Sequence, residues 1–207
     1  APVQVTKELI ELFENAREEI IIVTAYLIPT PRLEGAVRKA VARGVRVRIL
    51  TNSIRSNNHL AAHSAYRNHI GTLLENGAEL HEVRVDANDR AAYMLSPIGQ
   101  KMLALHAKAL IIDNDKVFIG SANLDPRSLR INTEMGFLVI SEPFNQTVRN
   151  AVEIDLSGAN AWRLDLQAGG DVHWVTDNQV LTSQPSYSFM QDMEDWFLSH
   201  LPIESSL

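Results

Sequence analysis

The order of strand-like and helix-like segments between residues 20 and 85 constrains the fold of this chain more than any other feature. Apolar runs of strand length, rich in β-branched residues, lie at residues 20–25, 45–50 and 78–85. Amphipathic segments with helical spacing separate them, at residues 31–43 and 58–76. Such alternation favours an α/β fold in which helices flank a layered sheet. A fold of this kind does not define a function by itself.

The rest of the chain extends this pattern with shorter segments. Further strands are predicted at residues 107–112, 117–119 and 134–140, and further helices at residues 6–16, 143–152 and 188–201. The last helix has four large apolar residues on one side, Phe189, Met193, Trp196 and Phe197. Residues 86–99 are irregular, and residues 155–184 lack clean periodicity. Because no linker or internal repeat interrupts the chain, we expect one domain over residues 1–207.

Composition excludes several classes of protein. The chain has 45% hydrophobic and 21% charged residues, as an ordinary globular protein does. Its net charge of −6 disfavours a domain that attracts nucleic acid through a global positive field. Because it has no cysteine, thiol chemistry, disulfides and Cys-ligated zinc are excluded. The apolar run at residues 20–23 is far shorter than the roughly 20 residues of a membrane span.

One group of polar residues could perform chemistry. His106 and Lys108 stand two positions apart at a predicted strand, so their side chains are expected on the same side. An imidazole can attack phosphorus, and a neighbouring ammonium stabilises charge on the phosphate oxygens. Ser121 and Asn123 follow the next strand and could donate hydrogen bonds to those oxygens. The carboxylate of Glu134 could hold one ring nitrogen of His106.

The arrangement His-x-Lys-x4-Asp followed by Gly-Ser-x-Asn resembles the signature of the phospholipase D superfamily. The matching residues are His106, Lys108, Asp113, Gly120, Ser121, Asn123 and Glu134. Residues 120–136 and the ending at residues 201–204 are similar to bacterial C-type cardiolipin synthases and their phospholipase D-like relatives. The resemblance extends from about residue 20 to the C-terminus, and Ala122 departs from it where a bulkier residue is expected.

The resemblance implies a phospholipase D-type half-domain that acts without a metal or cofactor. In this family a histidine attacks a phosphodiester to form a phosphohistidine, and an alcohol or water then releases the phosphoryl group. The implied catalytic residues are His106, Lys108, Asp113 and Glu134, and the implied phosphate contacts are Lys108, Ser121 and Asn123. For Asp113, a turn-forming role is an open alternative. Whether His106 is the nucleophile or the acid is also open.

Three further residues are candidates for contact with a lipid headgroup: His63, Tyr66 and Arg127. The alternative for His63 and Tyr66 is a polar helix face with a partly buried tyrosine. For Arg127 the alternative is a solvated loop position. A basic cluster resembles a peripheral membrane patch, although most such clusters are solvated faces: Arg38, Lys39, Arg43, Arg46 and Arg48.

The chain has only one copy of the motif, because none of its other histidines is followed by Lys two residues later. In the family a second histidine, from a second copy, protonates the leaving alcohol. We therefore expect a partner: the N-terminal half of the same parent chain, or a second copy in a two-fold dimer. The start at Ala1, without a basic and apolar leader, favours an excised piece of a longer chain over a processed mature form.

The function expected from the resemblance is phosphatidyl transfer that makes cardiolipin from phosphatidylglycerol, phosphatidylethanolamine or both. The expected substrate is a phospholipid, met by peripheral contact with the membrane, and nucleic acid is not an expected partner. The expected location is the cytoplasm or the periphery of the bacterial inner membrane. Two alternatives stay open: a homodimeric single-motif nuclease, and an inert module that lacks its catalytic partner half.

Overall fold

A computed structural model describes residues 4–89 and 103–202 of the chain. The helices in these ranges are α1 (Gln4–Asn15), α2 (Pro31–Ala42), α3 (Leu60–Arg67), α4 (Ile70–Glu75), α5 (Pro126–Arg130), α6 (Glu142–Leu156) and α7 (Phe189–Ser199). The strands are β1 (Glu19–Thr24), β2 (Arg46–Asn52), β3 (Glu79–Val83), β4 (Lys108–Ile112), β5 (Lys116–Gly120), β6 (Gly136–Ile140), β7 (Ala161–Leu166), β8 (Val172–Val175) and β9 (Val180–Leu181). Most of the segment predicted to be irregular, residues 86–99, lies outside the described residues, as do residues 1–3 and the last two residues of the 201–204 ending.

The strands in the described ranges form a single mixed sheet of nine strands, in the order β6-β5-β4-β1-β2-β3-β7-β8-β9. β1, β2 and β3 are parallel, because the helices between them return the chain to the same end of the sheet. All the other neighbouring strands pair antiparallel. The α/β layered sheet predicted from the sequence is therefore confirmed.

Alternation of side chains along each strand builds two apolar layers. Ile20 and Ile22 lie on the side that α1, α2, α3 and α4 cover, which we call the α2 face. Ile21 and Val23 lie on the opposite side, which packs against Val152 and other residues of α6 and which we call the α6 face. Since α6 is the one described helix in the apolar cluster on its face, that face is less completely covered.

Local capping signals are realised as predicted at α2. Thr30 is the N-cap, its hydroxyl accepts a hydrogen bond from the Leu33 N–H at 3.3 Å, and Pro31 opens the helix. The single helix predicted over residues 58–76 is instead two helices, α3 and α4, which is a correction. The break falls where Asn68 donates to the Ser199 carbonyl at 2.9 Å and the His69 ring contacts Glu34 at 2.8 Å.

Three strands, β7, β8 and β9, occupy the region in which no periodicity was apparent. They are short and continue the sheet outward from β3, and the α2-face core includes Trp162 and Leu164 of β7 and Trp174 of β8. The missed signal is the brief alternation of apolar and polar residues along β7. None of the helices within residues 4–89 and 103–202 is both long and apolar enough to cross a membrane.

The C-terminal helix α7 is oriented with much of its apolar side outward. Phe189 is 77% exposed, and Trp196 and Phe197 are more than half exposed. The residue of α7 that is fully buried is Asp195. A contact between polar side chains, rather than the amphipathic pattern, therefore sets how this helix docks.

Two glycines in neighbouring strands leave room for an aromatic ring. Gly120 in β5 and Gly136 in β6 pair across the sheet, and the ring of Phe118 lies against both. A Cβ atom at Gly136 would overlap this ring, which is buried in the α2-face core. The identity of residue 136 is therefore set by packing.

We expect Gly136→Ala to destabilise the fold by about 1–3 kcal/mol, because the Phe118 ring must leave its buried position. Urea unfolding monitored by circular dichroism measures this change. Gly35→Ala in α2 is the control, since a Cβ there meets nothing within 4 Å and alanine is the better helix former by about 1 kcal/mol. A Gly136→Ala protein as stable as the wild type would contradict the packing argument.

Candidate active site

The candidate catalytic residues gather at one edge of the sheet. Lys108 is the first residue of β4 and pairs with Thr24, the last residue of β1. Gly120, the last residue of β5, pairs with Gly136 at the start of β6. The motif residues before β4, after β5 and before β6 therefore share the edge at which the parallel strands end. In open α/β sheets, ligand sites form at this edge.

His106 lies just before β4 rather than within it, and its side chain is exposed. The backbone that precedes it is held by Asn52, the buried last residue of β2. The Asn52 amide donates to the Leu105 carbonyl at 2.9 Å and accepts from the Leu105 N–H at 2.8 Å. This two-point contact positions the segment that presents His106. We did not anticipate Asn52, and the signal for it in the sequence is an amide at the end of a buried strand.

Lys108 joins His106 to the acidic part of the site. Its ammonium donates to the His106 carbonyl at 2.9 Å. Partial burial lowers the pKa of Lys108, while the negative charges of Glu134 and Asp125 act in the opposite direction. The ammonium thus lies near the carboxylates of Glu134 and Asp125. An anionic ligand bound at this edge would compete with these carboxylates for the ammonium.

Glu134 holds two polar neighbours rather than His106. Its carboxylate accepts hydrogen bonds from the Ser121 hydroxyl and, at 3.2 Å, from the Asn132 amide. Ser121 is fixed further by the Met135 N–H, which donates to its hydroxyl at 3.0 Å. Among the described residues no hydrogen bond joins Glu134 to the His106 ring, so the contact between them stays a prediction. His106 itself precedes β4 and is exposed.

Asn123 carries a polar atom that its surroundings do not satisfy. Within the described part of the chain, its buried side-chain oxygen has no hydrogen-bond partner. Leaving such a group unpaired costs about 1–3 kcal/mol, so it is uncommon in a native structure and calls for a specific reason. The unpaired atom is an acceptor, so it is suited to a ligand group that donates a hydrogen bond, such as a hydroxyl.

Two residues at this edge were not among the predicted site residues. Asp125 is buried and caps α5 by accepting from the Ser128 N–H at 2.6 Å, and burial raises the pKa of its carboxyl. Tyr26 follows β1, and its hydroxyl donates to Asn58 at 2.8 Å. Burial raises the pKa of Tyr26, and the negative charge of Asp125 adds to this effect. The two residues border the site on the β1 side.

Asp113 lies away from this edge, which corrects its predicted catalytic role. It follows β4 at the opposite end from Lys108, roughly 16 Å along the strand. Its carboxylate accepts from the N–H groups of Glu18 at 2.8 Å and Glu19 at 3.2 Å, and its φ is 49°. Asp113 therefore fixes the turn between α1 and β1.

The predicted headgroup contacts separate into two groups. His63 is 1% and Tyr66 2% exposed, so both are interior residues, and the expectation that they meet a headgroup is wrong. Arg127 is exposed and donates to Asn132 at 3.3 Å, which connects it to the Glu134 cluster. Arg127 stays a candidate for binding an anion.

The basic cluster is largely neutralised within the protein. Arg48 is buried and pairs with Glu19 and Glu153. Arg46 pairs with Glu79 at 2.7 Å. Arg43 lies at the end of α2 and donates to the Phe13 carbonyl, also at 2.7 Å. These contacts do not support a free cationic patch formed by the whole cluster, because three of its members are held by internal partners.

An α/β sheet in which the Lys of His-x-Lys opens one strand, and Ser-x-Asn follows the neighbouring strand, is characteristic of a phospholipase D-like domain. The family model described as "Cardiolipin synthase, PLD-like domain" matches residues 9–156. The chain therefore belongs to the phospholipase D-like family of cardiolipin synthases.

Curated relatives are longer than this chain. It is 33% identical over 203 residues to cardiolipin synthase C of Escherichia coli K12, covering 96% of this chain and 43% of the relative. It is 28% identical over 150 residues to cardiolipin synthase B of the same strain, covering 70% of this chain and 31% of the relative. The chain thus spans less than half the length of these relatives.

Solved structures share the fold at low sequence identity. Nuc from Salmonella typhimurium, a phospholipase D family member, superposes with a TM-score of 0.56 at 20% identity, over 74% of this chain and 87% of that one. Phosphatidylserine synthase from Haemophilus influenzae superposes with a TM-score of 0.56 at 16% identity, over 73% of this chain and 34% of that one. These likenesses show the fold alone.

Proposed function

We propose that this chain is a single phospholipase D-like domain that supplies one catalytic half-site for phosphatidyl transfer. The proposed donors are phosphatidylglycerol, phosphatidylethanolamine or both, and the proposed product is cardiolipin. The observation that carries the proposal is the meeting of His106, Lys108, Ser121 and Asn123 at one sheet edge in a chain of the cardiolipin synthase family.

The proposed reaction has two displacements at phosphorus. In the version with His106 as nucleophile, its ring nitrogen bonds to phosphorus, and the bond from phosphorus to the donor's alcohol oxygen breaks. An acid on the second half protonates the leaving alcohol. The acceptor hydroxyl then gives its proton to that same group and attacks phosphorus, and the P–N bond breaks to regenerate His106.

The remaining residues are suited to stabilise charge rather than to transfer protons. In the proposed reaction the Lys108 ammonium and the NH2 group of the Asn123 amide donate hydrogen bonds to phosphate oxygens that gain charge in the transition state. Glu134 holds Ser121 and Asn132 in fixed orientations before substrate binds. This preorganisation limits the rearrangement that the reaction requires.

An exposed apolar surface beside the site supports a second half. β6 is an edge strand, and Phe137 in it is 66% exposed and pairs with Ile119, which is 41% exposed. Met135, next to Glu134, is also exposed. Exposed apolar edge strands are prone to unwanted pairing unless they are covered. We assign this surface to the second half, either the N-terminal half of the parent chain or a second copy.

Transfer assays with phosphatidylglycerol vesicles test the proposal. The purified chain is assayed alone and with a separately produced N-terminal half, and cardiolipin and free glycerol are quantified. We expect both products when the two halves are combined, since one His-x-Lys motif provides one of the two histidines required. Turnover by the chain alone would instead support a homodimer.

Single-stranded DNA is assayed in parallel as the alternative phosphodiester. A nuclease would cleave it in a His106-dependent manner. The net charge of −6 disfavours DNA as a substrate, because DNA is itself negatively charged. DNA cleavage without lipid transfer would contradict the proposal. Inactivity on both substrates with both halves present would favour an inert module.

A further inference from the structure

A cavity of about 330 Å³ opens on the α6 face directly beside His106. Its wall combines strand ends, α6 and the segment that leads into β4. The side chains that matter most are Val23, Leu50, Val83, Ala109, Val148 and Val152. They are all aliphatic, so the cavity differs sharply from the polar cluster around Lys108.

The cavity exists because small side chains and a single helix meet over the strand ends. Ala109 of β4 faces this side and leaves space that a larger side chain would fill. Across from it, Val148 and Val152 of α6 form the other wall. A concave surface lined by aliphatic side chains favours an apolar ligand, because binding removes apolar area of both from water. The chemistry of this wall therefore selects an aliphatic group.

The polar side chains in the wall do not call for a polar ligand. The Asn160 amide donates to Asp89 at 2.8 Å and to the Ile154 carbonyl at 2.9 Å. Asp155 also has a partner within the protein. Among the wall residues that the structure describes, His106 is the one that also belongs to the candidate catalytic cluster.

We infer that this cavity binds the first part of an aliphatic chain of a substrate whose phosphate is held at His106. This inference rests on the proposed function and names which part of the phospholipid the α6 face recognises. A methylene group is similar in size to a water molecule, which occupies about 30 Å³ in the liquid, so the cavity accommodates roughly ten methylenes. In this arrangement His106 lies between the bound aliphatic chain and the phosphate group of the substrate.

A series of n-alkyl phosphates tests the inference without requiring turnover. The dissociation constants of ethyl to dodecyl phosphate, and of inorganic phosphate, are measured for the whole chain by isothermal titration calorimetry below micelle formation. We expect the dissociation constant to fall by up to about fourfold for each added methylene and to level off at roughly ten carbons. The matching n-alkyl alcohols show whether the phosphate contributes.

Variants of Val148 locate the bound chain. Val148→Leu, Val148→Phe and Val148→Trp fill the cavity progressively, so the chain length at which affinity levels off is expected to shorten in that order. Binding of ethyl phosphate is expected to stay unchanged. Thr147→Trp is the matched control, because this exposed neighbour on α6 is not part of the wall. The graded series includes changes small enough to keep the fold.

Three results would overturn the inference. They are a dissociation constant that does not depend on chain length, a dependence that the Val148 variants leave intact, and alcohols that bind as tightly as the phosphates. Failure of the proposed function looks different: vesicle assays show no phosphatidyl transfer, while the alkyl phosphates still bind with the expected length dependence. The two hypotheses can therefore fail separately.

Discussion

Replacing His106 by alanine is expected to stop phosphatidyl transfer by the assembled two-half enzyme. Loss of a catalytic histidine lowers turnover by roughly 10²–10⁶-fold, and the nucleophile and its partner acid–base group can cost similar amounts because they act as a unit. The size of the loss therefore tests a catalytic role for His106, and a separate measurement assigns it as nucleophile or acid. The measurement is cardiolipin formation from phosphatidylglycerol vesicles with saturating N-terminal half.

A trapping experiment makes this prediction sharper. After acid-free quenching of a reaction with phosphate-labelled donor, label on this chain identifies His106 as the nucleophile, and label on the other half identifies it as the acid. His173→Ala in β8 is the control, because this histidine lies toward the far side of the sheet. A His106→Ala enzyme that kept a tenth of wild-type activity would contradict a catalytic role.

Replacing Asp195 by alanine is expected to destabilise the fold by about 3–5 kcal/mol. Asp195 is fully buried and accepts hydrogen bonds from His63 at 2.9 Å, Ser64 at 2.7 Å, Arg67 at 2.9 Å and Gln184 at 2.9 Å. Its loss leaves buried donors without their acceptor. For a chain of this size the melting temperature should fall by roughly 6–20 °C.

The same contacts make this contribution sensitive to acid. Burial alone would raise the pKa of Asp195, but the hydrogen bonds from His63, Gln184 and Ser64 outweigh it and hold the pKa well below its ordinary value. A carboxyl whose pKa is lower in the folded state stabilises the fold fully above the unfolded pKa of about 4, and loses this contribution as the pH falls below it. Below pH 4, the free energy of unfolding should therefore fall less steeply with pH in Asp195→Asn than in the wild type.

Glu194→Ala is the matched control for Asp195, since this neighbouring carboxylate on α7 is exposed. Its free energy of unfolding is expected to stay within about 0.5 kcal/mol of the wild type. Thermal unfolding of all three variants, followed by circular dichroism at pH 7 and pH 3.5, provides the comparison. If Asp195→Ala melted within 2 °C of the wild type, where at least roughly 6 °C is expected, the network would not be what holds α7.

The local parts of the structure could be predicted from the sequence because their causes lie within a few residues of each other. Thr30 and Pro31 mark the start of α2, and β-branched runs mark β1 and β2. The spacing of His106 and Lys108 and the family resemblance that it carries are also properties of short segments. The α/β fold and the family follow from such signals.

Tertiary structure alone decided the roles of residues whose partners are distant in the chain. Asp113 holds the backbone of Glu18, 95 positions earlier, and Asp195 holds His63, 132 positions earlier. No local sequence pattern predicts these pairings. The structure therefore shows Asp113 fixing a turn and His63 lying in the interior, although the sequence alone predicted a catalytic role and a headgroup contact. The outward apolar side of α7 has the same origin, because a buried carboxylate with four donors outweighs the amphipathic pattern of the helix.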